Sequence, residues 1–80
     1  MPEFEVAAFT AALIGAEWIE EGTHSVLAVR HGGTRMRLVE VRTDAPLAEF
    51  RKALSDALPA MNAIYAERFS NFAQRYVATA

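Results

Sequence analysis

Two runs of residues rich in β-branched and apolar side chains fill positions 24–43, and Gly32-Gly33 separates them. Two glycines between such runs are typical of a β-hairpin, because the type I′ and II′ turns that connect hairpin strands need positive φ, which Gly adopts without steric cost. The hydrophobic pattern therefore predicts an antiparallel hairpin in the middle of the chain.

The position of the turn predicts which hairpin residues oppose each other. Counting outward from the two glycines gives four pairs: Arg30 with Arg35, Val29 with Met36, Ala28 with Arg37, and Leu27 with Leu38. Because side chains alternate between faces along a strand, one face would be apolar and form the core: Leu27, Val29, Met36 and Leu38. The other face would be apolar at its base and cationic at its tip: Val26, Ala28, Val39, Val41, Arg30, Arg35 and Arg37. A bulge of one residue would exchange the faces of one strand, so this assignment requires a regular ladder.

The segment before the hairpin has the features of a helix that begins at about Glu3. Pro2 is tolerated at a helix start, and the carboxylates of Glu3 and Glu5 would interact favourably with the positive end of the helix dipole. Apolar residues at helical spacing predict the face that packs against the sheet: Val6, Phe9 and Leu13, broadened by Ala8, Ala12 and Ile19.

The end of this helix is open between two alternatives. The helix could continue to Gly22, although three glutamates would then crowd the negative end of its dipole. It could instead end at Gly15, and an extra edge strand would then begin at Trp18.

After the hairpin, the sequence predicts two helices. Asp44, Pro46 and Glu49 resemble a helix N-terminus, with a capping carboxylate, a proline in the first turn and an acid soon after. Pro59 disfavours the helical conformation at Leu58, so we expect a break or kink there and a last helix over about residues 60–77.

Both of these helices have an apolar face. In the first, large apolar residues recur at spacings of three and four: Leu47, Phe50, Leu54 and Leu58. In the second, the recurring residues are mostly aromatic: Met61, Tyr65, Phe69, Phe72 and Tyr76. This stripe could stack nucleic-acid bases while Arg68 and Arg75 bind phosphates. Its spacing is that of a buried helix face, which favours core or a dimer interface, and we expect Leu54 and Phe72 in the core.

The elements together predict a small α+β fold of one domain, residues 1–80, in which helices cover an antiparallel hairpin in the order α-β-β-α-α. A hairpin alone is marginal in water and leaves two open edges. We therefore expect the sheet to gain strands from the N-terminal segment or from a second subunit. A homodimer is the expected state, because a chain of 80 residues also buries little surface on folding.

Composition and charge argue against several classes of protein. A net charge of -2 and a pI of about 5.6 argue against a protein that coats nucleic acid. The chain has no Cys, which excludes disulfides and thiolate chemistry and is compatible with the reducing cytoplasm. The apolar run at residues 6–16 is about half the ~20 residues that a membrane-spanning helix needs. Acidic residues precede this run, whereas a signal peptide has basic residues there. We therefore expect neither a membrane-spanning helix nor a signal peptide.

No set of residues predicts catalysis. His24 and His31 lie seven residues apart in one predicted strand, hence on opposite faces, and cannot share a metal ion. Ser25 and His24 also point to opposite faces, so they cannot act with Asp44 as a catalytic triad. We therefore expect a protein that is not an enzyme and has neither cofactor nor metal.

Arg30, Arg35 and Arg37 form the most informative cluster and the predicted partner-binding site. Arg30 and Arg35 are directly opposed, and like charges in that arrangement destabilise a hairpin unless an anion neutralises them. The anion could come from phosphate, from an acidic surface on a partner, or from the chain's own Glu17, Glu20 and Glu21.

The expected function is that of a non-enzymatic protein-binding module, a small regulator or inhibitor that occupies a surface of a larger partner. That partner would be a protein or a nucleoprotein complex, and we expect neither a membrane nor a small-molecule substrate. Chains of this size without catalytic or metal-binding residues include antitoxin-like regulators and phage inhibitors of host machinery, such as anti-CRISPR proteins. The alternative is a nucleic-acid-binding regulator that uses the arginine cluster.

Overall fold

The structure of the chain is a computed structural model that describes the backbone of residues 2–79 and the side chains of residues 2–74. The elements in chain order are α1 (Glu3–Leu13), β1 (Glu17–Glu21), β2 (His24–His31), β3 (Thr34–Arg42) and α2 (Leu47–Thr79). The strands form one antiparallel sheet in the order β1-β2-β3. The predicted α+β fold is confirmed, and the N-terminal segment supplies a third strand. One long helix stands where the sequence predicted two.

Helix α1 ends because Gly15 adopts a left-handed conformation, with φ of 73°. The backbone N–H groups of Gly15 and Ala16 donate to the carbonyls of Ala12 and Ala11 at 3.2 and 2.9 Å. This pair of hydrogen bonds is the Schellman arrangement, which satisfies the last carbonyls of a helix. The shorter of the two predicted alternatives for this helix is therefore the observed one, and the three glutamates that follow lie in β1.

The hairpin has the predicted register near its turn and departs from it at a β-bulge. The three pairs predicted nearest the turn are observed: Arg30 with Arg35, Val29 with Met36, and Ala28 with Arg37. The register then shifts between Leu27 and Ala28, so that Leu27 opposes Val39 instead of Leu38. The extra residue exchanges the two faces of β3 from the bulge onward.

The bulge changes which residues of β3 form the core. Val39 and Val41 turn towards the helices and join the buried apolar residues of β2, although the regular register placed them on the opposite face. Leu38 is half-buried and packs against this core. Met36 is 40% exposed next to the turn, so the prediction that it belongs to the core is wrong.

Helix α1 buries a face of mostly small residues rather than the predicted stripe. The buried residues of the helix and its C-terminal cap are Ala7, Thr10, Ala11 and Ile14. Phe9 and Leu13 are 61% and 49% exposed, so the predicted packing face is wrong. Small side chains let α1 approach its neighbours closely. The buried Thr10 hydroxyl is satisfied within the helix, because it donates to the Val6 carbonyl at 2.8 Å.

The two helices run side by side in the same direction. Near the start of α1, the Ser55 hydroxyl donates to the carboxylate of Glu3 at 2.5 Å. Near its end, the guanidinium of Arg68 donates to the backbone carbonyl of Ile14. Since α1 has only 11 residues and α2 has 33, α1 accompanies α2 as far as Arg68 and then ends.

Helix α2 continues through Pro59, so the predicted break is wrong. Proline removes one helical hydrogen bond and disfavours the helical conformation of the residue before it. Buried residues on both sides of Pro59 oppose that preference, because Ala57 and Met61 pack into the same core. Tertiary packing therefore keeps the helix continuous where local preference would interrupt it.

The last part of α2 extends beyond the rest of the fold. A helix of 33 residues is about 50 Å long, which matches the longest dimension of the molecule, 50 Å. Between Arg68 and residue 74 no side chain is buried. Tyr65, Phe69 and Phe72 are 40%, 61% and 67% exposed, so the prediction that Phe72 lies in the core is wrong. The side chain of Tyr76 lies outside the described residues.

Candidate binding surfaces

One face of the sheet is turned away from the helix-side core and carries most of the hairpin's charge. The register places eleven residues on it, which we call the charged sheet face: Glu17, Ile19, Glu21, His24, Val26, Ala28, Arg30, Arg35, Arg37, Glu40 and Arg42. Val26 and Ala28 are each only 1% exposed, although neither belongs to the helix-side core. They lie at the floor of a shallow groove of about 230 Å³, and the long side chains that line its walls cover them.

Arg37 is the centre of an ion-pair network on this face. Its Nη1 lies 3.0 and 2.7 Å from the two carboxylate oxygens of Glu21, and its Nη2 lies 3.2 Å from Glu40. Arg35 pairs more loosely with Glu17, at 3.7 Å. Two of the three glutamates that the sequence offered as internal partners therefore contact the arginine cluster.

Two glutamates lie where sequence reasoning did not expect them. Glu40 and Arg37 are three residues apart, and in a regular strand they would point to opposite faces. The bulge between them brings both to the charged sheet face, so no signal in the alternating pattern could have identified Glu40. Glu20 opposes Ser25 in the ladder, which places it on the other face of the sheet, away from the arginines.

Arg30 differs from the other two arginines of the cluster. It opposes Arg35 directly, as predicted, and it is exposed. Arg35 and Arg37 have carboxylate partners, but for residues 2–74 no carboxylate lies within 4.0 Å of the Arg30 guanidinium. Its backbone carbonyl accepts a hydrogen bond from Arg68, so the main chain of Arg30 is fixed while its side chain stays accessible.

The residues considered for catalysis take part in local contacts. The Nε2 of His31 lies 3.0 Å from a carboxylate oxygen of Glu67 in α2, and His24 contacts the hydroxyl of the preceding threonine at 3.1 Å. The Ser25 hydroxyl lies 3.2 Å from that of Thr43. In the described part of the chain, no three metal-ligating side chains converge.

A second surface lies on α2 around and beyond Arg68, the residue beside which α1 ends. Three exposed side chains define it as the α2 aromatic surface: Tyr65, Phe69 and Phe72. The rings of Tyr65 and Phe69 stack with centroids 6.3 Å apart and planes 24° apart. Arg68, which the sequence offered as a phosphate ligand, instead donates to two backbone carbonyls of the domain. The side chain of Arg75 lies outside the described residues. Within the described side chains, neither of the two proposed arginines is therefore available beside the stripe to bind phosphate.

Charged residues recur along much of α2, the longest helix of the fold. Within residues 2–79, no helix combines the length and the hydropathy needed to cross a membrane. In comparisons with known proteins, no family model, no curated protein and no solved structure matches the chain.

Proposed function

We propose that the protein is a non-enzymatic protein-binding module, a small cytoplasmic regulator or inhibitor that occupies a surface of a larger macromolecular partner. The charged sheet face is the surface that contacts this partner. The observation that carries the proposal is the environment of Arg30, an exposed cation opposite a second cation, with no described carboxylate in ion-pair contact.

The charge arrangement around Arg30 favours an external anion. Directly opposed like charges destabilise a strand pair, and within residues 2–74 Arg35 has only a loose partner, Glu17, at 3.7 Å. A carboxylate placed between Arg30 and Arg35 would remove this repulsion. Arg37 is held more tightly by Glu21 and does not need to reorganise when such a carboxylate arrives.

The mixture of charges on this face favours a protein over a nucleic acid. Four arginines and three glutamates share it: Arg30, Arg35, Arg37, Arg42, Glu17, Glu21 and Glu40, and Asp44 also pairs with Arg42. A nucleic acid is attracted by a continuous basic surface, and the interleaved carboxylates would repel its phosphates. A protein surface with both signs of charge can match such a pattern, which gives specificity. Seven of the chain's eight basic residues are Arg, the basic residue that is enriched at protein interfaces.

Affinity capture from the cells that produce the protein tests this proposal. The baits are the wild type, the Arg30→Ala/Arg35→Ala variant and a control, Arg51→Ala/Lys52→Ala, which removes the same number of charges away from the sheet. Arg51 lies over the ring of Phe4 on the helix side, and Lys52 follows it as an exposed residue of α2. We expect a protein that the wild type and the control retain and the first variant loses. With that partner purified, the first variant should bind at least about tenfold more weakly.

The nucleic-acid alternative is tested in the same preparation. Nuclease treatment of the lysate should leave the capture unchanged, and titration with duplex and single-stranded nucleic acid should show no binding that depends on Arg30 and Arg35. Binding that falls steeply with added salt and is lost in the double variant would establish the alternative instead, because phosphate contacts release counterions. Equal capture by the wild type and both variants would show that the charged sheet face is not the contact surface.

A further inference from the structure

The α2 aromatic surface is free of charge. Between residues 60 and 74 the charged residues are Glu67 and Arg68, and both are turned towards the domain. Glu67 contacts His31, and Arg68 hydrogen-bonds to the carbonyls of Ile14 and Arg30. The exposed aromatic side chains that remain carry no charge that would attract phosphate or a strongly charged protein.

This surface continues a helix face that α1 covers earlier in α2. At spacings of three and four, the same stripe of the helix contains Arg51, Ser55, Leu58, Asn62, Tyr65, Phe69 and Phe72. Its first two members contact α1, through Phe4 and Glu3. Since α1 ends beside Arg68, the stripe loses its cover where it becomes most aromatic.

The aromatic residues of the stripe are arranged symmetrically along the sequence. Tyr65, Phe69, Phe72 and Tyr76 follow one another at spacings of four, three and four, so the order Tyr-Phe-Phe-Tyr reads the same in both directions. The place of Tyr76 rests on its position in the helix alone, because its side chain is outside the described residues. These spacings are those of the apolar seam along which two helices pack.

We propose that two copies of this chain associate through antiparallel packing of the projecting ends of α2. A two-fold axis between positions 70 and 71 would place Phe69 of each copy against Phe72 of the other. It would also place position 65 of each copy beside position 76 of the other. A second copy fits because a two-fold interface must be self-complementary, and this stripe maps onto itself when its direction is reversed.

The sheet edges are poor alternatives for this association. The outer edge is acidic on β1, where Glu17, Glu20 and Glu21 lie, and mostly basic on β3, where three arginines outnumber Glu40. Symmetric pairing of two copies along either edge would bring like charges together, a common protection of edge strands. The open edges that suggested a dimer from the sequence therefore do not provide its interface.

The exposed area predicts a reversible dimer rather than an obligate one. The three aromatic side chains are 40–67% exposed, and together they offer on the order of 300 Å² of apolar surface per copy. A stable interface buries roughly 800 Å² per partner, so flanking helix residues must supply the rest. We expect monomer and dimer to exchange with protein concentration.

Sedimentation velocity from micromolar to near-millimolar protein tests this proposal. The wild type should shift from monomer to dimer across that range, and Phe69→Asp should remain a monomer. Phe9→Asp is the matched control, because Phe9 on α1 has the same exposure, 61%. It should dimerise like the wild type. Far-ultraviolet circular dichroism confirms that each variant is folded.

Mixing two variants tests the antiparallel geometry. Phe69→Asp and Phe72→Lys should each be monomeric alone, and their mixture should form a heterodimer, because the two-fold axis places the new Asp against the new Lys. A wild type that stays monomeric throughout, or a dimer that survives Phe69→Asp, would overturn the proposal. So would a mixture that remains monomeric. None of these outcomes bears on the proposed function, since the charged sheet face is unchanged in these variants.

Discussion

Arg68 donates a hydrogen bond to the backbone carbonyl of Ile14, the residue that caps the C-terminal end of α1. A second hydrogen bond from the same guanidinium reaches the carbonyl of Arg30, two residues beyond the point where β1 stops pairing with β2. One side chain thus joins α2 to the end of α1 and to the hairpin. It also fixes the point at which α2 leaves the domain.

Replacing Arg68 should therefore destabilise the fold. Arg68→Ala removes the donors of both carbonyls, and we expect a loss of about 1 to 3 kcal/mol in the free energy of unfolding. Urea denaturation followed by circular dichroism measures this loss. Arg42→Ala, which removes an exposed arginine paired with Asp44, should change the free energy by less than about 0.5 kcal/mol. Equal effects of the two substitutions would show that the Arg68 contacts do not stabilise the domain.

Leucine-to-alanine substitutions at a buried and an exposed site test which residues form the core. Leu27 is 2% exposed and Leu13 is 49% exposed. Leu27→Ala should lower the free energy of unfolding by about 2 to 5 kcal/mol, because it leaves a cavity in the core. Leu13→Ala should lower it by less than about 1 kcal/mol. Chemical denaturation of both variants checks the assignment of the buried face, and a larger effect at Leu13 would contradict it.

The arginine cluster should contribute little to stability. The Arg35–Glu17 contact is 3.7 Å long, with both side chains more than half exposed, and such pairs typically contribute ~0 to 1 kcal/mol. Removing Arg30 at the same time relieves a like-charge contact, so Arg30→Ala/Arg35→Ala should leave the free energy of unfolding within about 0.5 kcal/mol of wild type. Thermal unfolding at low and high salt measures it. A loss well above 1 kcal/mol would mean that the cluster serves folding rather than binding.

Replacing Pro59 by alanine should stabilise the protein. Its side chain is exposed, and proline within a helix is roughly 3 kcal/mol less favourable than alanine. Pro59→Ala should therefore raise the melting temperature without increasing the helical signal in circular dichroism, because α2 is already continuous through this position. An increase in helical signal would indicate that wild-type α2 is interrupted at Pro59.

The sequence by itself determined the features that depend on local backbone geometry. Gly32 and Gly33 have φ of 63° and 82°, and the strands on either side of them pair as predicted near the turn. Gly15, at 73°, ends α1 at one of the two predicted positions. Only glycine adopts such angles without steric cost, so these signals are readable without knowing what lies nearby.

Tertiary structure alone decided the features that depend on packing between distant residues. The bulge beside Leu38 turns Val39 and Val41 towards the helices and brings Glu40 to Arg37, and alternation along the strand does not reveal it. The core likewise keeps α2 helical through Pro59. The reason is energetic: burial of apolar surface in a shared core outweighs a local preference at any one position. The β-bulge and the continuous α2 helix give the charged sheet face and the α2 aromatic surface their observed form.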